Sequence, residues 1–109
     1  MVEKTISKKV IKKVHSYVNL LKQDGLNVEE VFIFGSHAKG TTHSGSDIDV
    51  CIISDKFKDD FDDIGYLNDY KFTKGDLLDI EGHGFTSDDF KNPYSSLVNE
   101  IKTTGVKIL

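Results

Sequence analysis

The sequence predicts an α/β (α+β) fold, a small mixed β-sheet flanked by helices. Two short runs, Val31-Phe32-Ile33-Phe34 and Ile48 to Ser54, have the length and the β-branched and aromatic content of buried strands. Segments with apolar residues at helical intervals precede and follow them. The chain has 109 residues, enough for one core, so residues 1–109 are read as a single domain.

Each element follows from its own pattern. Ile6, Val10, Val14, Val18 and Leu21 recur at helical spacing with lysines opposite, giving a helix that Thr5 would cap and Gly25 would end. Its basic face reads as solvated surface. The strand Val31–Phe34 stops at Gly35, and Ser36 to Ser46, rich in glycine, serine and threonine, reads as a loop with one helical turn. After the strand Ile48–Ser54, the acidic stretch Asp55 to Tyr70 carries Phe57, Phe61, Ile64 and Leu67 at helix-like intervals. Leu77 to Glu81 reads as a third strand. Thr86 to Thr104 reads as a helix, broken or started near Pro93, and Val106 to Leu109 as a short last strand. The order helix, strand, strand, helix, strand, helix suits a small sheet covered by helices.

Composition narrows the function. Acidic residues number 18 against 14 basic ones, all lysine, for a net charge of −4. Without arginine the chain has no guanidinium fork to clamp phosphate, and without a basic excess it has no broad nucleic-acid footprint. Free nucleic acid is not an expected substrate. Cys51, the sole cysteine, excludes an intrachain disulfide or a cysteine-based zinc site and reads as a buried structural thiol. No apolar stretch approaches the ~20 residues that cross a bilayer, so no membrane association is expected. The lysine-interrupted N-terminus does not resemble a signal peptide, and a cytoplasmic location is expected.

The informative segment is Val31 to Ser54, VFIFGSHAKGTTHSGSDIDVCIIS: strand, Gly35-Ser36, a ten-residue gap, then Asp47-Ile48-Asp49 opening the next strand. Alternate residues of a strand share a face, about 6–7 Å apart, so Asp47 and Asp49 point together while Ile48 and Val50 face a core. Paired carboxylates repel unless a cation offsets them, and Mg²⁺ typically takes one or two carboxylates plus substrate phosphates. Gly35 lets the backbone approach a ligand, and the Ser36 hydroxyl with neighbouring amides can bond phosphate oxygens. An anion cradle beside metal carboxylates is the layout of phosphoryl or nucleotidyl transfer, where two ions about 3.5–4 Å apart stabilise attacking and leaving oxygens. The plainer alternative is a turn followed by a strand whose first residues are acidic.

These residues resemble the DNA polymerase β-like nucleotidyltransferase superfamily, whose signature is an apolar strand, Gly-Ser, a gap of about ten, then Asp-apolar-Asp-apolar. Within it, the chain is similar to the minimal nucleotidyltransferases of prokaryotic toxin–antitoxin pairs. Asp79-Ile80-Glu81-Gly82-His83-Gly84-Phe85 resembles a strand-end segment of that branch, often Ile-Glu-Pro-His-Pro-Phe, and Asp89 to Ile108 is similar as well. The resemblance implies that Asp47 and Asp49 hold catalytic metals, and that Gly35, Ser36, Lys39 and Ser46 contact the nucleotide. A third carboxylate would come from Asp79 or Glu81, which lie two apart on one strand; Glu81 matches the glutamate of the family segment. Its implied role is to bind the metal and to take the acceptor's proton. The chain departs from the family at His37, where arginine or tyrosine is common, and at Gly82 and Gly84, which replace two prolines and predict a looser turn.

The resemblance implies a Mg²⁺-dependent enzyme with a two-ion site that transfers a nucleoside monophosphate, AMP from ATP or another NTP, to an acceptor hydroxyl. The acceptor could be a small helical HEPN-type protein partner. An antitoxin-type binding module that neutralises such a partner without catalysis is the first alternative, and an antibiotic-modifying enzyme the weaker one. A homo-oligomer is compatible with so short a chain. Of the histidines, His83 reads as a structural or rim residue with metal ligation and proton shuttling as alternatives; His15 reads as exposed, and His37 and His43 lie in the phosphate loop. An EF-hand starting at Asp60 fails at Ile64 and Lys71, so the acidic run there reads as a solvated helix face.

Overall fold

In the computed structural model, residues 6–39, 47–58, 63–69 and 79–109 are described, with backbone only at 39, 63, 64 and 69. Helix α1 spans Lys8–Gln23 and buries Val14, Tyr17, Val18 and Leu21. Ser7 caps it, its hydroxyl accepting from the Lys9 amide; Thr5, the cap expected from sequence, lies outside the described residues. Gly25, at φ 95°, ends it as expected. The Gly25 amide donates to the Lys22 carbonyl and the Leu26 amide to that of Leu21. That pair of reversed bonds is the Schellman stop, with Leu26 and Leu21 both buried as its apolar contact.

The strands are β1 (Glu30–Phe34), β2 (Ile48–Ile53), β3 (Ile80–Phe85) and β4 (Val106–Lys107), and they form one sheet in the order β3-β2-β1-β4. β1 runs antiparallel to β2 and to β4, whereas β2 and β3 are parallel. A parallel neighbour needs a crossover, and helix α3 (Asp63–Asp69) lies on that connection. Helix α2 (Ser36–Lys39) is the helical turn expected after Gly35, and α4 (Ser96–Thr104) precedes β4. The mixed sheet with helices matches the predicted fold class.

Two boundaries differ from the sequence-based expectation, and a third is sharpened. The stretch Asp55 to Tyr70 is not one helix: a 3₁₀ turn at Asp55–Phe57, capped by Ser54, is separate from α3. Phe61 and Tyr70 lie outside the described residues. The helix expected within Thr86 to Thr104, broken or started near Pro93, starts just beyond that proline at Ser96, where Ser95 accepts from the Val98 amide, and residues 89–91 form a separate 3₁₀ turn. The third strand runs on to Phe85 rather than stopping at Glu81, so Gly82 and Gly84 are strand residues and not a loose turn. Leu77 lies outside the described residues.

The strand glycine has a packing reason. A Cβ on Gly82 would lie 2.7 Å from the Tyr17 hydroxyl and 2.8 Å from the Leu67 Cβ. Tyr17 donates to the Leu67 carbonyl at 2.7 Å, and the Asn68 side-chain amide accepts from the Gly82 amide and donates to its carbonyl. Helices α1 and α3 thus close onto β3 through a residue without a side chain.

The sheet has two apolar faces. Val31, Ile33, Ile48, Val50, Ile52 and Ile80 pack with Val14, Tyr17, Val18 and Leu21 of α1 and Leu67 of α3. Phe34, Cys51 and Ile53 pack with Ile101 of α4 on the other. This alternation decides which side chains of β2 and β3 can reach a ligand.

Candidate active site

Gly35 ends β1 at φ 75°, a left-handed torsion that glycine accepts without strain. A Cβ there would collide with the Asp49 carboxylate. Phe34 is paired with Asp49 across the antiparallel register, so the turn out of β1 wraps over that carboxylate. Ser36 follows directly as the first residue of α2.

Asp49 sits between Ile48 and Val50, which are 1% and 0% exposed, so the expected alternation is present over these three residues, while Asp47 precedes the strand. In the parallel register Asp49 lies opposite Glu81, and Cys51 opposite His83. Asp49, Glu81 and His83 therefore emerge on the same face at the entering ends of two adjacent strands. The His83 Nε2 is 3.5 Å from the Asp49 Oδ1 and 3.6 Å from the Glu81 Oε1. One ligand atom from each of these residues lies within 4.8 Å of the other two. The His83 ring is held edge-on to Phe34, with centroids 5.2 Å apart, and its Nε2 is buried with no hydrogen-bond partner. The His37 Nε2, one residue after Ser36, is buried and unbonded as well.

The other expected site residues divide in two. Asp47 is exposed and precedes β2, outside the Asp49–Glu81–His83 group. Asp79 turns the other way: its carboxylate accepts from Lys13 of α1 at 3.1 Å and 3.2 Å and ties the start of β3 to that helix. Of the two candidates for the third carboxylate, Glu81 stands beside Asp49 and Asp79 is engaged with a lysine. Ser46, His43 and the Lys39 side chain lie outside the described residues.

His83 is the residue that the sequence reading set at the rim and the structure places in the group. Its signal was available in principle: Glu81 and His83 are two apart, and in a strand continued to Phe85 they share a face.

Adjacent carboxylates in register repel, and a divalent ion relieves that repulsion. The oxygen donors of Asp49 and Glu81, with the His83 Nε2 near both and without a hydrogen-bond partner, fit such an ion. Below them, burial and the nearby Glu30 charge push the Cys51 thiol from 9.0 up to about 12, so it stays protonated and inert at neutral pH.

Comparison with known proteins agrees with this fold. The model of the nucleotidyltransferase domain family matches residues 11–102. Among solved structures, a toxin–antitoxin complex with AMP-PNP superposes with a TM-score of 0.61 at 21% identity, covering 89% of this chain and 70% of that one. A "putative nucleotidyltransferase" from Sulfolobus solfataricus gives 0.57 at 18% identity, covering 91% and 78% of the two chains. A mutant of the toxin–antitoxin MntA-HpeT gives 0.54 at 17%, covering 85% and 69%. No protein of curated function matches the sequence. The solved structures carry the fold, and the family match over most of the chain carries the identity: this chain is a member of the nucleotidyltransferase domain family.

Proposed function

We propose that the chain acts as one cytoplasmic domain that transfers a nucleoside monophosphate, AMP from ATP, to a hydroxyl of a partner protein. The observation that carries this reading is the Asp49–Glu81 pair, in register on β2 and β3 beneath the Gly35-Ser36 turn. Gly35 admits the Asp49 carboxylate beneath the turn, and Ser36 donates its hydroxyl to the triphosphate. Asp47, at the open entrance of β2, meets the divalent ion that travels with the nucleotide; Lys39 and Ser46 contact the phosphates. Bound divalent ions, Mg²⁺ with the nucleotide, supply charge stabilisation for the attacking and leaving oxygens.

The chain's own residues position the reaction. The acceptor oxygen bonds to the α-phosphorus as the bond to the bridging oxygen of the β-phosphate breaks, and pyrophosphate leaves. Glu81, with a side chain 50% exposed, is open to an acceptor hydroxyl and takes its proton. Most of the acceleration in such a site comes from orientation and fixed charge.

A protein acceptor is supported by the structural neighbours, two of which are toxin–antitoxin complexes. Tyr94, 91% exposed, and the half-exposed Leu97 offer an apolar contact beside α4. A second reading, a helical HEPN-type partner neutralised by binding alone, draws on those same observations. Incubation with ATP labelled in the α-phosphate, Mg²⁺ and the product of the adjacent reading frame decides between them. Label on the partner, lost in Asp49→Asn, supports transfer. A stable complex with no label, kept in Asp49→Asn, supports binding alone.

A further inference from the structure

We propose that His83 is a third protein ligand beside Asp49 and Glu81, so that the ion seated between the strands is a borderline transition ion of the Zn²⁺ or Co²⁺ kind, distinct from the Mg²⁺ that arrives with the nucleotide. This rests on the reading that Asp49 and Glu81 hold a metal.

The separations argue for a shared ion. At 3.5 and 3.6 Å, the Nε2 is too far from the two carboxylate oxygens for ordinary hydrogen bonds, which run about 2.7–3.2 Å. Two ligands each about 2.0–2.2 Å from one tetrahedral ion are separated by about 3.4 Å. The two edges from His83 to the carboxylates therefore have the length expected across a coordination polyhedron, and all three ligand atoms lie within 4.8 Å of one another. A buried nitrogen with no hydrogen-bond partner is costly to a fold unless something meets it. Packing against Phe34 fixes the ring while leaving the Nε2 turned to the carboxylates.

Donor chemistry selects the ion. Mg²⁺ takes oxygen ligands in near-octahedral geometry and keeps several waters. Imidazole favours transition ions, and two carboxylates with one imidazole leave a fourth position open, the pattern of a catalytic rather than a structural zinc centre. Asp47, outside the group and exposed, remains free to meet the ion on the nucleotide.

The test is ion binding to the whole chain without nucleotide: calorimetry with Zn²⁺ and with Mg²⁺, and the visible absorption of added Co²⁺. Wild type, His83→Asn, His83→Gln and Asp49→Asn are compared, each checked for its melting temperature without metal. The expected result is roughly tenfold or greater loss of Zn²⁺ affinity in both His83 variants, a changed Co²⁺ spectrum, and Mg²⁺ affinity that does not move. Zn²⁺ binding lost in Asp49→Asn but equal in wild type and the His83 variants would overturn the role of His83 and leave the metal reading standing. Tighter binding in the His83 variants would overturn it too, showing a protonated imidazole that repels the ion. Wild type that binds neither ion would sink the metal reading itself.

Discussion

The Asp49 carboxylate occupies the space that a side chain on residue 35 would need, so the glycine ending β1 and the aspartate inside β2 are one structural unit. Gly35→Ala should act twice. The left-handed torsion costs an alanine about 1–2 kcal/mol, and the methyl group displaces Asp49. A fall in melting temperature of roughly 5–10 °C should accompany a loss of transfer of about a hundredfold or more, since misplacing a reacting group by about 1 Å has that effect. Calorimetry and a labelled-ATP assay on one preparation measure both.

Lys13 and Asp79 separate structure from chemistry at the start of β3. The pair joins α1 to the sheet at 3.1 Å with the Asp79 side chain 42% exposed, so Asp79→Asn should cost about 1 kcal/mol or less. Transfer by Asp79→Asn should stay within a few-fold of wild type. Glu81→Gln, two residues on, should lower transfer by a hundredfold or more with little change in melting temperature. Steady-state assays of the two variants side by side give the contrast.

Gly82→Ala tests the packing of α1 and α3 on β3. The added methyl meets the Tyr17 hydroxyl and Leu67, both fully buried, and overpacking of this kind costs about 1–3 kcal/mol. The denaturation midpoint should fall accordingly. Tyr17→Phe, which strips the Leu67 carbonyl of its donor, should cost about 1–2 kcal/mol by itself.

Two buried acids give a pH signature. The Cys51 thiol is raised from 9.0 to about 12, chiefly by burial and then by Glu30. The Tyr17 hydroxyl is raised from its ordinary value of 10.0, again chiefly by burial. Above pH 9 the unfolded chain releases protons that the folded chain retains, so the unfolded state gains. The stability from these groups is complete below about pH 9 and declines as pH rises toward 12. Melting temperatures from pH 7 to 11 should therefore fall above pH 9, and less steeply in Cys51→Ala. Native protein at neutral pH should resist thiol alkylation.

How much of this was legible in the sequence depends on the residue. Val31–Phe34 and Ile48–Ile53 were readable because dense β-branched runs between turn residues have few other uses, and Gly25 because a glycine after the last periodic residue is a helix stop. The Gly35-Ser36 and Asp47-Ile48-Asp49 pattern put Asp49 in the right face by alternation alone. What strand alternation could not supply was registry between strands. That Glu81 rather than Asp79 meets Asp49 depends on how β3 slides along β2, and on Lys13, 66 residues away, taking Asp79. The end of β3 differs because Gly82 and Gly84 look like a turn until α1 and α3 are packed against Gly82; with the strand cut short at Glu81, His83 has no place beside it. The break before Ser96 likewise depends on a cap geometry that Ser95 shares with many loop serines.

The most direct measurement of the central claim is transfer of label from α-labelled ATP, with divalent ion and partner present, by wild type, Asp49→Asn, Glu81→Gln and Asp79→Asn. The predicted result is activity in wild type and Asp79→Asn and none above background in the other two, all four remaining folded. Equal transfer by Asp49→Asn and wild type, or loss in Asp79→Asn with Glu81→Gln unaffected, would contradict it.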